Sequence, residues 1–298
     1  MLAIFLNPAI VGLASLFLAI VWMLRDEKDK NRPLLVFALI LNLIFGTIQS
    51  TMLAREGALL ALKYDHILLL LDRSLGISAA SVAIPLQGFC RVPLLVIYLS
   101  LVPMMIGWIA VTRYWNSRGS VVLAYAAELV AGPLLYAVSP GCGPVYAFAA
   151  QWLHPPAVHA EAIRLTSFPN AFPSLHLATA FVFVFFAPGR GWRGISLAFF
   201  TLTALATLST GEHYVIDLVG GLATGCFAAA VGRRATRSAL FYLGVALAWS
   251  MAVRFGYPLL IAYPLVTRTL AASTALLAIS AVFREWSFRA TQASSRAG

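Results

Sequence analysis

The sequence predicts an all-α protein built as a polytopic bundle of transmembrane helices. Hydrophobic residues occupy 61% of the 298 positions, charged residues occupy 11%, and the mean hydropathy is +0.86. A soluble core does not need this much apolar surface. The apolar stretches are mostly long enough to cross about 30 Å of hydrocarbon as helices. They are continuous and lack the period-two alternation of a transmembrane barrel.

Nine apolar stretches are predicted to be helices that span the membrane, near residues 3–24, 33–53, 92–111, 121–138, 173–186, 194–208, 213–231, 239–253 and 269–283. The stretch 56–89 mixes apolar runs with charged residues, so it predicts an interfacial amphipathic helix followed by a short or re-entrant segment. Within it, the adjacent Asp72 and Arg73 are interpreted as a surface ion pair. The stretch 139–171 holds five prolines and predicts a structured loop.

We expect a single membrane domain, because no internal repeat is visible along the chain. The expected core spans about 57–231, the peripheral helices span 1–55 and 239–283, and a short tail spans 284–298. The boundaries of such predicted helices carry an error of about two to four residues.

Basic residues are concentrated on one side of this predicted topology. That side receives 14 of the 21 Lys and Arg residues, in the loops 25–32, 113–118, 190–193 and 233–237 and in the tail from 284. Cytoplasmic loops carry such an excess, so this side is predicted to be cytoplasmic. The same rule accounts for the formal charge of +10, and no nucleic-acid partner is expected because no soluble basic domain is present.

Two polar motifs begin helices on the opposite, extracytoplasmic side. His213 and Asp217 are one turn apart, so the carboxylate can hold one imidazole nitrogen while the other attacks as a nucleophile. His176 follows Pro173, which suits the first helical position, and is placed to act as a general acid. Two helix N-termini that meet on one face offer free backbone N–H groups to a phosphate. The pattern predicts phosphoryl-transfer chemistry.

Two other interpretations of these residues remain open. The histidines can be packing residues, with His213 and Asp217 joined by a structural hydrogen bond, although an ionisable residue inside a membrane span is costly and usually functional. They can also bind a metal, but the chain has no His-Glu-x-x-His motif and no paired-cysteine ligand set. We therefore expect no metal and no other cofactor.

The same motifs resemble those of a known family. Pro173-Ser174-Leu175-His176 resembles the Pro-Ser-x-His motif of the type 2 phosphatidic acid phosphatase superfamily, and the segment from His213 to Asp217 resembles the end of its third motif. The wider form is most similar to the inositol phosphorylceramide synthase branch, whose members move a phosphoinositol head group between lipids. The resemblance implies a six-helix phosphatase-type core with additional helices. It also implies that His213 becomes phosphohistidine, that Asp217 orients it and that His176 protonates the leaving group.

The chain departs from the family pattern where cations usually bind phosphate. The Lys-x6-Arg-Pro motif is absent, and Ala206 and Thr207 replace a Ser-Arg pair. Cations that clamp the phosphate must therefore come from elsewhere. The candidate phosphate-binding residues are Ser174, Arg164, Lys63, Arg73 and Arg91, with Arg164 the first choice because its loop leads into the Pro173 motif.

Together these observations predict a multi-pass membrane enzyme, either a lipid phosphotransferase or a phosphatase, with its active site on the periplasmic or lumenal side. Its expected partners are lipid substrates: a phospholipid donor, and a lipid alcohol or water as acceptor. The alternatives are a lipid phosphate phosphatase that hydrolyses phosphatidic acid or a polyprenyl diphosphate, and a non-catalytic lipid-binding membrane protein.

Overall fold

The computed structural model describes residues 59–88, 90–112 and 118–295, together with Arg55 and Gly57. The predicted helices 3–24 and 33–53 lie outside the described residues. Within the described residues the regular secondary structure is helical, apart from one pair of two-residue strands, β1 (Leu62–Lys63) and β2 (Ile163–Arg164), which are antiparallel. The predicted all-α class is therefore confirmed.

The described chain forms twelve α-helices. They are α1 (Asp65–Leu75), α2 (Ala79–Leu86), α3 (Arg91–Leu99), α4 (Leu101–Thr112), α5 (Arg118–Val138), α6 (Pro144–Ala147), α7 (Leu175–Phe185), α8 (Arg190–Ser209), α9 (Val215–Gly232), α10 (Thr236–Met251), α11 (Tyr257–Ala262) and α12 (Pro264–Ser295). A π-helical segment, Ala252–Gly256, joins α10 to α11. The last helix runs beyond the predicted 269–283, so most of the expected tail is helical.

Five of the described helical segments are long and apolar enough to cross a membrane, and seven if two bent helix pairs each count as one span. In one bent pair, α3 and α4 meet at 53°, so the single helix predicted over 92–111 is broken into two. Ser100 explains the break, because its hydroxyl donates to the carbonyl oxygens of Val96 and Ile97. Pro103 then supplies no backbone N–H in the first turn of α4.

The segment α1–α2 is the other bent pair. The two helices meet at 79°, where Gly76 ends α1 with φ of 82° and Ser78 caps α2. Helix α1 packs inside the protein, where its residues Ile67, Leu68 and Leu71 are buried. Its position at the membrane interface stays a prediction. The neighbours of α1 include α9, α11 and α12.

Helix α9 lies at the centre of the bundle and packs against α5, α7, α10 and α12. Its small residues allow this close approach: a Cβ added at Gly225 would lie 3.0 Å from Phe181, and one added at Gly221 would lie 2.5 Å from the carbonyl oxygen of Ser174. The start of α9 is therefore held against the start of α7. These two starts carry the histidine motifs.

Candidate active site

The two motifs occupy loop-to-helix junctions that are bonded to each other. The backbone N–H of Ser174 donates to the carbonyl oxygen of Asp217 at 2.9 Å, and Ser174 caps α7 by accepting from the N–H of Leu177 at 3.4 Å. Helix α7 thus begins after Pro173, and the prediction that Pro173 occupies the first helical position is wrong. His176 lies in the first turn of α7, whereas His213 precedes the first residue of α9.

The imidazole of His213 is held by a backbone carbonyl as well as by the predicted carboxylate. Its Nδ1 lies 2.8 Å from the carbonyl oxygen of Ala171 and 3.5 Å from Oδ2 of Asp217. Both neighbours of Nδ1 are hydrogen-bond acceptors, so Nδ1 carries the hydrogen and Nε2 carries the lone pair. Sequence reasoning missed Ala171, because the contact is made by a main-chain atom.

His176 faces His213 across a narrow gap. The centroids of the two rings are 5.7 Å apart, and the ring planes cross at 66°. On another side, the ring of Tyr98 from α3 stacks on His176 with a centroid distance of 4.2 Å and an interplanar angle of 17°. Sequence reasoning missed Tyr98, since a single tyrosine in an apolar helix has no distinctive pattern.

The environment of His213 keeps it neutral. Burial lowers the pKa of His213 from its ordinary 6.5 to about 4, against the opposing effects of Glu212 and of the Ala171 carbonyl. Burial also raises the pKa of Glu212, whose carboxylate accepts a hydrogen bond of 2.9 Å from the hydroxyl of Tyr146. An uncharged imidazole with a free Nε2 lone pair is the form that attacks phosphorus.

Asp72 fixes the start of α9. Its carboxylate is fully buried and accepts hydrogen bonds from the backbone N–H groups of Val215 at 3.0 Å, Ile216 at 2.9 Å and Ala79 at 3.2 Å. The prediction of a surface ion pair with Arg73 is therefore wrong. The prediction of free N–H donors at the start of α9 is also wrong. Asp72 accepts hydrogen bonds from two of these N–H groups, and Asp217 accepts one from the N–H of Tyr214 at 2.7 Å.

Asp65 joins the loop 139–171 to the same junction. Its buried carboxylate accepts from the backbone N–H groups of Cys142 at 3.1 Å and Gly143 at 2.9 Å, and from the hydroxyl of Tyr214 at 3.0 Å. Sequence reasoning missed this role, because a single aspartate at the start of a helix resembles a cap. The loop that leads to Ala171 is thereby fixed against the residue that follows His213.

The candidate phosphate-binding cations lie in different surroundings. The Nζ atom of Lys63 donates to the carbonyl oxygen of Leu60, and Lys63 interacts electrostatically with Asp65. Arg73 is exposed and its Nη2 lies 3.4 Å from the carbonyl oxygen of Pro156. Arg91 and Arg164 are exposed, the latter on β2. In the described chain, Arg73, Arg91 and Arg164 form no hydrogen bond or ion pair with either histidine.

The same part of the chain contains no group of three or more His, Cys, Asp or Glu residues arranged to hold a metal ion. The structure brings together His213, Asp217, His176 and Ser174 from the predicted set, and adds Tyr98, Tyr146 and Glu212 beside them. Such an arrangement can carry out nucleophilic and acid–base chemistry with protein groups.

Comparison with known proteins places the chain in a family. No curated protein and no solved structure gave a significant match. A family model described as the PAP2 superfamily matches residues 66–231, which is more than half of the chain and contains both histidine motifs. The chain therefore belongs to the PAP2 superfamily.

Proposed function

We propose that this protein is a lipid phosphotransferase that moves a head group from a phospholipid to a lipid hydroxyl through a phosphohistidine at His213. The observation that carries the proposal is the neutral, anchored imidazole of His213, which lies 5.7 Å from the ring of His176 inside the family-matched segment. The resemblance to the inositol phosphorylceramide synthase branch supports a phosphoinositol-type head group.

In the first step, Nε2 of His213 attacks the phosphorus of the donor and forms an N–P bond. The bond from phosphorus to the diacylglycerol oxygen breaks, and that oxygen takes a proton from His176 acting as general acid. Positive charge appears on the His213 ring and is stabilised by the Ala171 carbonyl and by Asp217. Oδ1 of Asp217 has no hydrogen-bond partner among the described residues, so the carboxylate retains capacity as an acceptor.

In the second step, the neutral His176 accepts the proton of the acceptor hydroxyl, whose oxygen attacks phosphorus. The N–P bond breaks, its electron pair returns to Nε2, and His213 is restored as a neutral base. Our candidates for binding the phosphate oxygens are Ser174 at the cap of α7 and the cations Lys63, Arg73, Arg91 and Arg164. The chemistry needs no group beyond protein side chains and substrate.

The chemistry is proposed to occur on the extracytoplasmic side. Helices α7 and α9 begin at the histidines, and α8 ends near them, so the opposite ends of these helices form a second surface. That surface holds Arg193 bonded to the Trp286 carbonyl and Arg233 paired with Glu285. Because basic residues concentrate on cytoplasmic ends, the histidine end belongs outside.

A hydrolase with water as acceptor is the second candidate. The observation that favours it is the openness of the junction: the side chain of Tyr146, bonded to Glu212 beside the nucleophile, is 47% exposed. Water that reaches Tyr146 can approach a phosphohistidine. Phosphatidic acid and polyprenyl diphosphates are then the candidate substrates. A third candidate, a non-catalytic lipid-binding protein, predicts no turnover at all.

The test is turnover by the purified protein in lipid vesicles. Phosphatidylinositol labelled in its phosphate is supplied with and without ceramide. A labelled sphingolipid formed only with ceramide supports the transferase, and inositol phosphate or free phosphate formed without it supports the hydrolase. His213→Ala should abolish either product, whereas the matched control His159→Ala, on an exposed loop position, should retain it. Equal residual turnover in both variants contradicts the proposal.

A further inference from the structure

The carboxylate of Glu212 lies beside the proposed nucleophile, His213. Glu212 precedes His213 directly and is half-buried, and the two side chains interact electrostatically. In a half-buried site such an interaction is less screened than in bulk water. The position is unusual for a protein that must attract a phosphate, since a carboxylate repels the phosphate oxygens.

The carboxylate is held in place from two directions. The hydroxyl of Tyr146 donates to Oε1 of Glu212 at 2.9 Å. The backbone N–H of Val145 donates to the carbonyl oxygen of Gly211 at 2.9 Å, so α6 is fixed to the same segment. Gly143, with φ of 97°, lies so close that an added Cβ would clash with the Glu212 carbonyl. The backbone of Glu212 is therefore packed against Gly143, and the hydrogen bond from Tyr146 orients its half-buried side chain.

In the described part of the chain, Glu212 interacts with tyrosine side chains and with His213. Tyr98, which stacks on His176, interacts electrostatically with Glu212, Tyr136 and Tyr146. The residues shown to interact with Glu212 are thus tyrosines, which are neutral at neutral pH, and His213. A substrate at His213 therefore meets the Glu212 carboxylate, whichever of the candidate cations binds its phosphate oxygens.

The number of charges on the substrate decides how much this repulsion costs. A phosphomonoester loses its second proton with a pKa of about 6 and carries close to two negative charges at neutral pH. A phosphodiester carries one. Because like charges in a poorly screened site oppose each other, Glu212 penalises the monoester more than the diester.

We propose that Glu212, held by Tyr146, is a specificity-determining residue that admits phosphodiester lipids to His213 and disfavours phosphomonoester lipids. This inference rests on the proposed chemistry at His213 and names the charge class of the donor. The alternative, that the Glu212–Tyr146 bond merely fixes the loop, predicts no dependence on substrate charge.

The experiment compares phosphatidic acid with phosphatidylmethanol of the same acyl chains, each supplied with ceramide as the acceptor. Both release diacylglycerol when phosphorus is attacked, so one assay measures both, and they differ by one methyl group and one charge. We expect Glu212→Gln, which keeps the size of the side chain, to raise kcat/KM for phosphatidic acid relative to phosphatidylmethanol by roughly ten-fold or more. Tyr146→Phe should shift the ratio in the same direction by less.

Glu161→Gln is the control, because Glu161 is an exposed glutamate of the same loop region, and it should leave the ratio unchanged. A ratio in Glu212→Gln equal to that of the unmodified protein, with both substrates affected alike, overturns the inference. No diacylglycerol from phosphatidylinositol or from either test lipid in the unmodified protein instead defeats the proposed function.

A measurement on the unmodified protein covers the case in which Glu212→Gln does not fold. The preference for phosphatidylmethanol should grow as the pH rises through the second ionisation of phosphatidic acid. The titratable side chains around Glu212 are His213, His176, Tyr98, Tyr136 and Tyr146. In this pH range the tyrosines stay neutral, and so does His213, whose pKa is lowered by burial to about 4. A ratio that does not change with pH overturns the inference.

Discussion

The two ends of the helix bundle bury carboxylates in different ways. One end carries Arg193, Arg233 and Arg289 and is called the arginine end here; the other carries the two histidine motifs and is called the histidine end. At the arginine end, Glu285 is 6% exposed and pairs with Arg233 at 3.1 Å and Arg289 at 2.6 Å. At the histidine end, Asp65 and Asp72 accept hydrogen bonds mainly from backbone N–H groups. Ion pairs at the first end neutralise a buried carboxylate with charged side chains, whereas backbone bonds at the second fix the main chain around a neutral imidazole. The comparison teaches that the histidine end is held by backbone bonds that leave the imidazole uncharged, as the chemistry proposed there requires.

The largest loss of activity is expected for His176→Gln, a substitution at the histidine end. This variant lacks the proposed general acid, and such a loss typically costs about 10²–10⁴-fold in rate. The loss should be much smaller for a p-nitrophenyl phosphodiester, whose leaving group departs without a proton. Rates with both substrates provide the measurement, and equal losses would indicate that His176 only shapes the site.

The next effect is on stability. Asp72→Ala leaves three backbone N–H groups without their acceptor and should destabilise the fold by roughly 3–5 kcal/mol. Arg73→Ala, at the adjacent exposed position, should change the free energy of unfolding by less than about 0.5 kcal/mol. The midpoint of thermal unfolding in detergent measures both variants. A similar small change in each would show that Asp72 does not hold the start of α9.

The pH dependence tests the environment of His213. Because burial lowers its pKa from 6.5 to about 4, activity that needs the neutral imidazole should persist below pH 6.5 and decline towards pH 4. The stability contribution has the same sign: it is complete above 6.5 and is lost as the pH falls towards 4, where the unfolded chain binds the proton first. The pH profile of kcat/KM is also measured in Glu212→Gln, because this variant lacks the neighbouring carboxyl group and its titration. An acidic limb at 6.5 would contradict the burial of His213.

The smallest effect is expected at the arginine end. Arg233→Gln removes a partly exposed partner of Glu285, while Arg289 keeps its contact with that carboxylate. Partly exposed ion pairs of this kind contribute about 0–1 kcal/mol, so activity should stay within about two-fold. Turnover in matched vesicles checks this. A loss as large as that of His176→Gln would show that the two ends are functionally coupled.

The sequence predicts the residues of the histidine end better than it predicts their supports. His176, His213 and Asp217 are recognisable because polar side chains at fixed spacing interrupt apolar helices, and the structure places them together. The Ala171 carbonyl has no side-chain signature. In the sequence, Asp72 resembles one partner of a surface ion pair with Arg73. Only the folded structure places the backbone N–H groups of α9 against its carboxylate.

The helices show the same difference between features that the sequence predicts and features that it does not. Hydropathy predicts that α5, α8 and α9 exist, because their apolar length is local information. The bends at Ser100 and Gly76 depend on local hydrogen bonds and backbone conformation, which hydropathy does not report. Hydropathy therefore predicted a single helix over 92–111, where the structure has two.

The most direct measurement is to trap the phosphorylated intermediate. The purified protein is mixed with phospholipid labelled in its phosphate, denatured during turnover under alkaline conditions, and mapped by mass spectrometry. We expect an acid-labile, base-stable adduct on His213, present in the unmodified protein and in His159→Ala and absent in His213→Ala. Turnover without any such adduct, or an adduct on another residue that persists in His213→Ala, would contradict a nucleophilic His213.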